Sequence, residues 1–494
     1  MAEATVSWIS GPVLRAKSRG GFHVSDAILV GDSDLLGEVV RISDEGIVAQ
    51  VYEDTTGLRP GDRVTGVGQP LSIRLRPGLP GRIFDGLLRP LADMPGDTIR
   101  AGMQAEVSER IAFEPTIRKG QRVAAGQVIG NSAMPTFAEK VVCPPNVSGE
   151  VVSVVEAGEY SDDQTLCLLR NEAGEDVPVT AGAAWPIRRP RPVNRRLPPA
   201  EPLVTGQRII DMLFPVARGG RAMLPGGFGT GKTILQENLA KWCDADVIVY
   251  VGCGERGNEM AEVLNEFPKL DDPRTGRRLL DRTVIIANTS NMPVAAREAS
   301  IYTGITVAEY FRDQGMHVAL MADSTTRWAE ALREISGRLG ELPAEQGYPA
   351  YLSSRLAGFY ERAAHVETLG GGQGSVTIIG AVSPPAGDFS EPVTAQTKRY
   401  VRCFWALDRD RAQARFFPAI HPLTSYSEDV ESLNRWWQEQ GNPRWLAHRR
   451  SLLTLLEERA RLERMARMVG KDALPPGQQL SLLCAELVNN GLLL

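Results

Sequence analysis

Eight consecutive residues, Gly226-Gly-Phe-Gly-Thr-Gly-Lys-Thr233, satisfy the pattern G-x-x-x-x-G-K-[ST]. In that spacing Gly226, Gly227, Gly229 and Gly231, with Phe228 and Thr230 between them, let backbone N–H groups wrap a phosphate without Cβ clashes. A helix starting there adds its positive dipole end, Lys232 reaches β- and γ-phosphate oxygens, and the Thr233 hydroxyl ligates Mg²⁺. The context fits, because apolar Ala222-Met-Leu precedes the glycines and helix-forming Thr233–Lys241 follows them. Two further acids come at strand ends. Val247–Val251 runs into Gly252-Cys-Gly-Glu255-Arg256, which predicts Glu255 past the carboxyl end of a parallel strand beside the P-loop strand, where open α/β sheets bind ligands. Glu255 can there polarise a water in line with the terminal phosphate, and Arg256 can neutralise phosphate charge. Taken alone, Glu255 reads equally well as a helix N-terminal acid paired with its neighbour, and Glu259 keeps that reading. His317-Val-Ala-Leu-Met-Ala-Asp323 is an apolar strand ending in an acid, suited to hold Mg²⁺ through water.

The elements that must carry these residues change character along the chain. At roughly 150 residues per domain, 494 residues give about three domains. Residues 1–72 read as short strands (Thr5–Ile9, Val13–Arg15, Ala27–Val30, Gly37–Ile42, Gly46–Tyr52) separated by Gly-Pro, Gly-Asp and Asp-Glu-Gly turns, the pattern of a small β-barrel. Residues 114–182 form a second β-rich module in which Gly turns separate Val/Ile pairs. Lys140 there reads as a surface lysine. The Pro/Arg stretch Trp185–Pro199 is expected to run extended over the surface as a solvated connector. Residues 73–113 and 183–430 carry the P-loop α/β domain, whose runs Val247–Val251, Val284–Ala287, Val318–Ala322 and Val376–Val382 read as parallel strands covered on both faces. Residues 431–494 are helical, with Leu452, Leu455, Leu462 and Met465 on one face.

Composition excludes several classes. A hydrophobic fraction of 43% with 23% charged residues and no low-complexity tract excludes disorder and coiled coil. A net charge of -5 disfavours nucleic-acid binding. The N-terminus lacks a signal-peptide pattern, and no stretch approaches 18 consecutive apolar residues. Six cysteines without a C-x-x-C pair give neither a zinc site nor a disulfide framework, so a reducing cytosol is expected.

Six motifs occur in order: the P-loop, Gly254-Glu-Arg-Gly-Asn-Glu, Ala322-Asp-Ser-Thr-Thr-Arg-Trp-Ala-Glu-Ala-Leu-Arg-Glu, Gly347-Tyr-Pro-Ala-Tyr-Leu, Pro384-Pro-Ala-Gly-Asp-Phe-Ser-Glu-Pro-Val-Thr and Pro418-Ala-Ile-His-Pro-Leu-Thr-Ser-Tyr-Ser. Together with Tyr52-Glu-Asp-Thr-Thr-Gly-Leu and the insertion at 114–182, they resemble the catalytic A (alpha) subunit of V/A-type rotary ATPases over nearly the whole chain. The insertion sets it apart from F-type beta subunits and from flagellar or secretion ATPases, and the intact P-loop from the non-catalytic B subunit. The resemblance implies a barrel, a RecA-like P-loop domain with a β-rich insertion, and a C-terminal helical domain. It implies that Lys232 and Thr233 hold ATP or ADP with Mg²⁺, that Glu255 orients the attacking water, that Arg256 contacts phosphate and that Phe417 stacks on adenine. It further implies an alternating A3B3 ring in which each B subunit lends an arginine, central and peripheral stalks, and a membrane sector moving protons or sodium ions. The protein would then sit peripherally on the cytoplasmic side of a membrane, with Thr230 in place of a eukaryotic cysteine favouring a prokaryotic plasma membrane. Family members continue beyond Asn490-Gly-Leu-Leu-Leu, with a loop that helps enclose adenine, and the C-terminal helical domain is expected to be shortened. Two other functions stay open on sequence alone. One is a hexameric RNA-dependent ATPase motor, and the other a non-hydrolysing nucleotide-binding scaffold.

Overall fold

The computed structural model describes residues 2–91, 102, 110–133 and 137–493. Alternation of small turns and β-branched residues closes the first of these segments into a barrel. Strands β1 (Glu3–Ser10), β2 (Val13–Ser18), β3 (Asp26–Val30), β4 (Leu35–Ser43), β5 (Gly46–Val51) and β6 (Arg63–Pro70) follow the order β1-β2-β5-β4-β3-β6. The antiparallel pairing of β1 with β6 (Glu3 opposite Thr65) closes the ring, which removes both open edges. Inward residues such as Leu14, Ile28, Val30, Ala49, Val51 and Val64 fill it. The five expected strands are present. The sixth has few apolar residues, and its Gly-interrupted Arg-Val-Thr-Gly-Val-Gly-Gln-Pro sequence gives little periodic signal.

The inserted module is two four-stranded antiparallel sheets facing each other over Ile111, Phe113, Ile129, Leu166 and Leu169. Lys140 is exposed, and its amine donates to the Gln314 carbonyl at 3.0 Å, tying the module to the α/β domain. Residues 92–101 and 103–109, expected in the α/β domain, lie outside the described residues.

The connector does not stay in solvent as expected. Arg188 is bidentate across domains, 2.9 Å from Glu38 of β4 and 2.7 Å from Glu298, both acids being almost fully buried. Arg191 is 5% exposed and 2.6 Å from Asp313. The prolines do keep the segment extended. Its guanidinium groups, however, face buried carboxylates that would otherwise be unpaired, so attraction overrides their preference for water. Arg188→Ala strands Glu38 and Glu298 without a cation. It is expected to cost about 3–5 kcal/mol, read as a lower urea midpoint. Arg195→Ala, which breaks a pair whose arginine is 70% exposed, should cost under about 1 kcal/mol.

The central sheet is built from five parallel strands: β7 (Arg221–Pro225), β8 (Val247–Glu255), β9 (Thr283–Thr289), β10 (His317–Asp323) and β11 (Gln373–Val382), in the order β7-β11-β10-β8-β9. All four runs read as strands are here, and they are buried along almost their whole length because helices cover both faces. Four of those helices are α1 (Lys232–Trp242), α2 (Gly257–Glu266), α3 (Val294–Asp313) and α4 (Thr325–Leu339). One expectation is corrected. The strand leading to Glu255 does not lie beside the P-loop strand, because β11 and β10 come between β7 and β8. Right-handed crossovers place chain-distant β10 and β11 at the centre, an order that no local pattern encodes.

The C-terminal helices are α5 (Trp445–Val469) and α6 (Pro476–Leu487). Leu456 and Leu462 of α5 are buried, and Leu452 packs against the α/β core. Met465, expected on the same stripe, is 39% exposed.

Candidate functional site

The glycine loop joins β7 to α1. Gly229 and Gly231 have φ of 74° and 85°, and Gly231 is the left-handed cap of α1, a conformation in which a Cβ would be strained. A Cβ on Gly226 would lie 2.5 Å from the Thr230 hydroxyl and 2.8 Å from Leu407, so that position admits no side chain. Thr230 Oγ1 donates to the Gly227 carbonyl at 2.8 Å and stiffens the loop. Lys232 Nζ turns back into the cradle and donates to the carbonyls of Gly226 and Gly227, both at 2.9 Å. The ammonium thus occupies the centre of the loop, where a phosphate oxygen would replace those carbonyls as acceptor.

The strand ends bring the acids in. Asp323 ends β10 at 1% exposure, and its Oδ2 accepts from Thr233 Oγ1 of α1 at 2.8 Å. Glu255 ends β8 after a register shift at Cys253, where Gly254 has φ of 74° and turns the chain off the sheet. That turn compensates for the two intervening strands, because the Glu255 and Asp323 carboxylates act on each other and on Lys232. Burial pushes Glu255 up to about 8, reinforced by Asp323 and Glu259 and opposed by Arg327. Burial also raises Asp323, against the Thr233 hydrogen bond and the Lys232 charge, and lowers Lys232, against Asp323, Glu255 and Glu259. These carboxylates crowd the terminal-phosphate side of the cradle, an arrangement that favours a triphosphate arriving with a divalent cation over the bare anion. Thr233 and Asp323 offer hard oxygen ligands of the kind Mg²⁺ takes alongside phosphate oxygens and water.

Phe417 is half exposed, with its ring edge 3.8 Å from where a Gly231 Cβ would stand, so it borders the cradle. Its neighbour Phe416 turns away and lies under the Arg411 guanidinium at 4.6 Å. Phe228 is 83% exposed, and Arg256 sits over its ring at 5.5 Å. Arg256 is itself exposed at the cap of α2, and Glu259 lies in the first turn of that helix. The residues selected from sequence therefore gather at one end of the sheet, with Arg256 at the rim.

Sequence reasoning missed two groups. Arg327, on the first turn of α4, packs its side-chain stem where a Gly254 Cβ would stand and directs its charge at Glu255 and Glu259. Its position four residues after Asp323 was the available signal. Tyr250, inside the apolar run of β8, places its hydroxyl 3.3 Å from Asp323 Oδ2. A phenol in a buried strand needs a polar partner, and that requirement was visible in the sequence.

A glycine cradle at a helix N-terminus, with a carboxylate at the end of the neighbouring central strand, makes this a P-loop nucleotide-binding domain. Residues 206–427 match the nucleotide-binding domain of the ATP synthase alpha/beta family. Residues 6–68 match that family's beta-barrel domain, 105–188 its barrel-sandwich domain, and 434–493 the C-terminal domain of V and A type ATP synthases. The chain is 52% identical to the V-type ATP synthase alpha chain of Halothermothrix orenii, covering 99% of this chain and 84% of the relative. It is also 52% identical to the corresponding catalytic-sector polypeptide, the A protein, of the A-type ATP synthase of Methanopyrus kandleri, covering 98% and 83%. The solved structure of EscN, the ATPase of the enteropathogenic E. coli type III secretion system, shares the fold with a TM-score of 0.70 at 22% identity, covering 99% of this chain and 94% of that one. The chain belongs to the ATP synthase alpha/beta family, in its V-type and A-type alpha/A branch.

Proposed function

We infer that the chain makes or hydrolyses ATP as the catalytic subunit of a V/A-type rotary ATPase, coupled to proton or sodium transport by a membrane sector of the complex. The observation that carries this is the hydrogen bond of Thr233 to Asp323, which joins the P-loop to the acid-bearing strand and leaves Glu255 facing the same space. In this reading the P-loop amides and Lys232 bind the β- and γ-phosphates, and Thr233 directly and Asp323 through water hold Mg²⁺. The metal supplies charge neutralisation on the phosphate oxygens. Glu255 orients the attacking water, Arg256 contacts phosphate at the rim, and Phe417 covers adenine. The division of the chain is 1–72, 73–113 with 183–430, 114–182 and 431–494. The partners are a B subunit that donates an arginine in an A3B3 ring, central and peripheral stalks, and the membrane sector. Among the described residues no helix is long and apolar enough to cross a membrane. The protein is placed peripherally, on the cytoplasmic side of a prokaryotic plasma membrane.

Titration calorimetry of the purified chain with Mg-ATP tests the binding half of this reading. Lys232→Ala should weaken binding by roughly 30- to 100-fold, the worth of about 2–3 kcal/mol for a charged hydrogen-bond donor. Phe417→Ala should weaken it by about tenfold, as expected for one lost base–aromatic stack. Retention of wild-type affinity by Lys232→Ala would reject the cradle as the nucleotide site.

A further inference from the structure

Sheet register places a tyrosine directly beneath the acid at the tip of β10. In the parallel pairing of β8 with β10, Tyr250 lies opposite Met321 and Gly252 opposite Asp323. Side chains two residues apart on a strand share a face, so Tyr250 is one step below Asp323 on the side covered by α1. Its neighbours Ile248, Ala319 and Met321 belong to the core on that side, with Leu235 and Leu239 of α1. The ring is 1% exposed and tilts against Phe267 at 5.5 Å between centroids, which fixes where the hydroxyl points. It points up the sheet, to within 3.3 Å of Asp323 Oδ2.

We propose that Tyr250 is a positioning residue that holds the Asp323 carboxylate in the rotamer able to serve the metal water. The inference rests on the reading of Asp323 as the acid that holds Mg²⁺ through water. Asp323 Oδ2 accepts two hydrogen bonds, from Thr233 above and from Tyr250 below, and these fix the carboxylate plane. Among the described residues Oδ1 has no hydrogen-bond donor, so it is the oxygen left for a metal-bound water. Thr233 alone cannot do this, because a hydroxyl that also ligates a cation shifts when the cation arrives or leaves. Tyr250 touches neither phosphate nor the attacking water. Removing its hydroxyl therefore affects the metal's share of binding and spares the nucleotide's own share.

The experiment measures ADP affinity of the full chain with Mg²⁺ and again with EDTA, for wild type, Tyr250→Phe, Asp323→Asn and the double variant. A marked fall in the Mg²⁺-dependent gain for Asp323→Asn tests the underlying reading of that acid, separately from Tyr250. For Tyr250→Phe the metal-free affinity should stay within twofold, while the Mg²⁺-dependent gain falls about tenfold, in the range for a hydrogen bond to a charged group. In the Asp323→Asn background, Tyr250→Phe should produce no further loss. An unchanged Mg²⁺-dependent gain in Tyr250→Phe overturns the inference. So does an equal loss with and without metal, or an equal loss in both backgrounds, since a merely structural tyrosine would give those results. If Tyr250→Phe fails to fold, infrared difference spectra of ring-labelled wild-type chain decide the matter. A tyrosine C–O band that shifts when Mg²⁺ is added to the ADP complex, and does not shift in Asp323→Asn, supports the inference. No such band overturns it.

Discussion

Assembled with a partner that lends an arginine, the chain is expected to hydrolyse ATP about 10³–10⁵ times faster than it does alone, a difference of about 4–7 kcal/mol in barrier. The cations of the site leave that gap. Lys232 is committed to the cradle, where it already takes two loop carbonyls. Arg327 is held 2.8 Å from Glu330 on its own helix, with its charge directed at Glu255 and Glu259. Arg256 is exposed at the rim and stacked on Phe228. None of the three stands clear of its own partners and opposite the P-loop, where charge gathers on the transferring phosphoryl group. Steady-state phosphate release by the isolated chain and by the reconstituted ring checks this, with the partner's arginine replaced by alanine as the control. A lone chain within tenfold of the ring would show that it completes its own site.

The P-loop and the two acids were legible because each is a local signal. A glycine spacing, or an apolar strand ending in Asp, carries its geometry within a few residues. The barrel was legible for the same reason, except β6, whose glycines erase the alternation. What stayed hidden was long-range. Nothing near Glu255 reports that β10 and β11 insert between its strand and the P-loop strand, and the positive φ at Gly254 that compensates is a consequence of that order. The Arg188 network was hidden likewise, because Glu38 and Glu298 lie far from it in sequence and a Pro/Arg stretch looks solvated until its carboxylates are in place. Tyr250 and Arg327 fall between these cases. Both lie in motifs that the sequence displays, but the atom each one acts on belongs to another element.

Glu255→Gln in the assembled ring is expected to lower turnover by about 10²–10⁴-fold, the usual worth of a positioned acid–base group, while Mg-ATP affinity stays within tenfold. Glutamine keeps the length and one acceptor oxygen of the side chain but loses the negative charge that polarises a water. Affinity should hold or rise. The Glu255 carboxylate lies with Asp323 and Glu259 around Lys232, and removing one like charge from a buried cluster relieves repulsion against the incoming triphosphate. Glu255→Asp separates reach from charge. It retains the carboxylate and withdraws it by one methylene, and a misplacement of that size costs about 10²-fold. The two variants should thus both be slow, with only the glutamine variant binding substrate at least as tightly as wild type. Phosphate release together with nucleotide titration distinguishes this from a structural role, in which affinity and rate would fall together. A fully active Glu255→Gln ring would remove Glu255 from the reaction and leave water activation to the phosphate oxygens themselves.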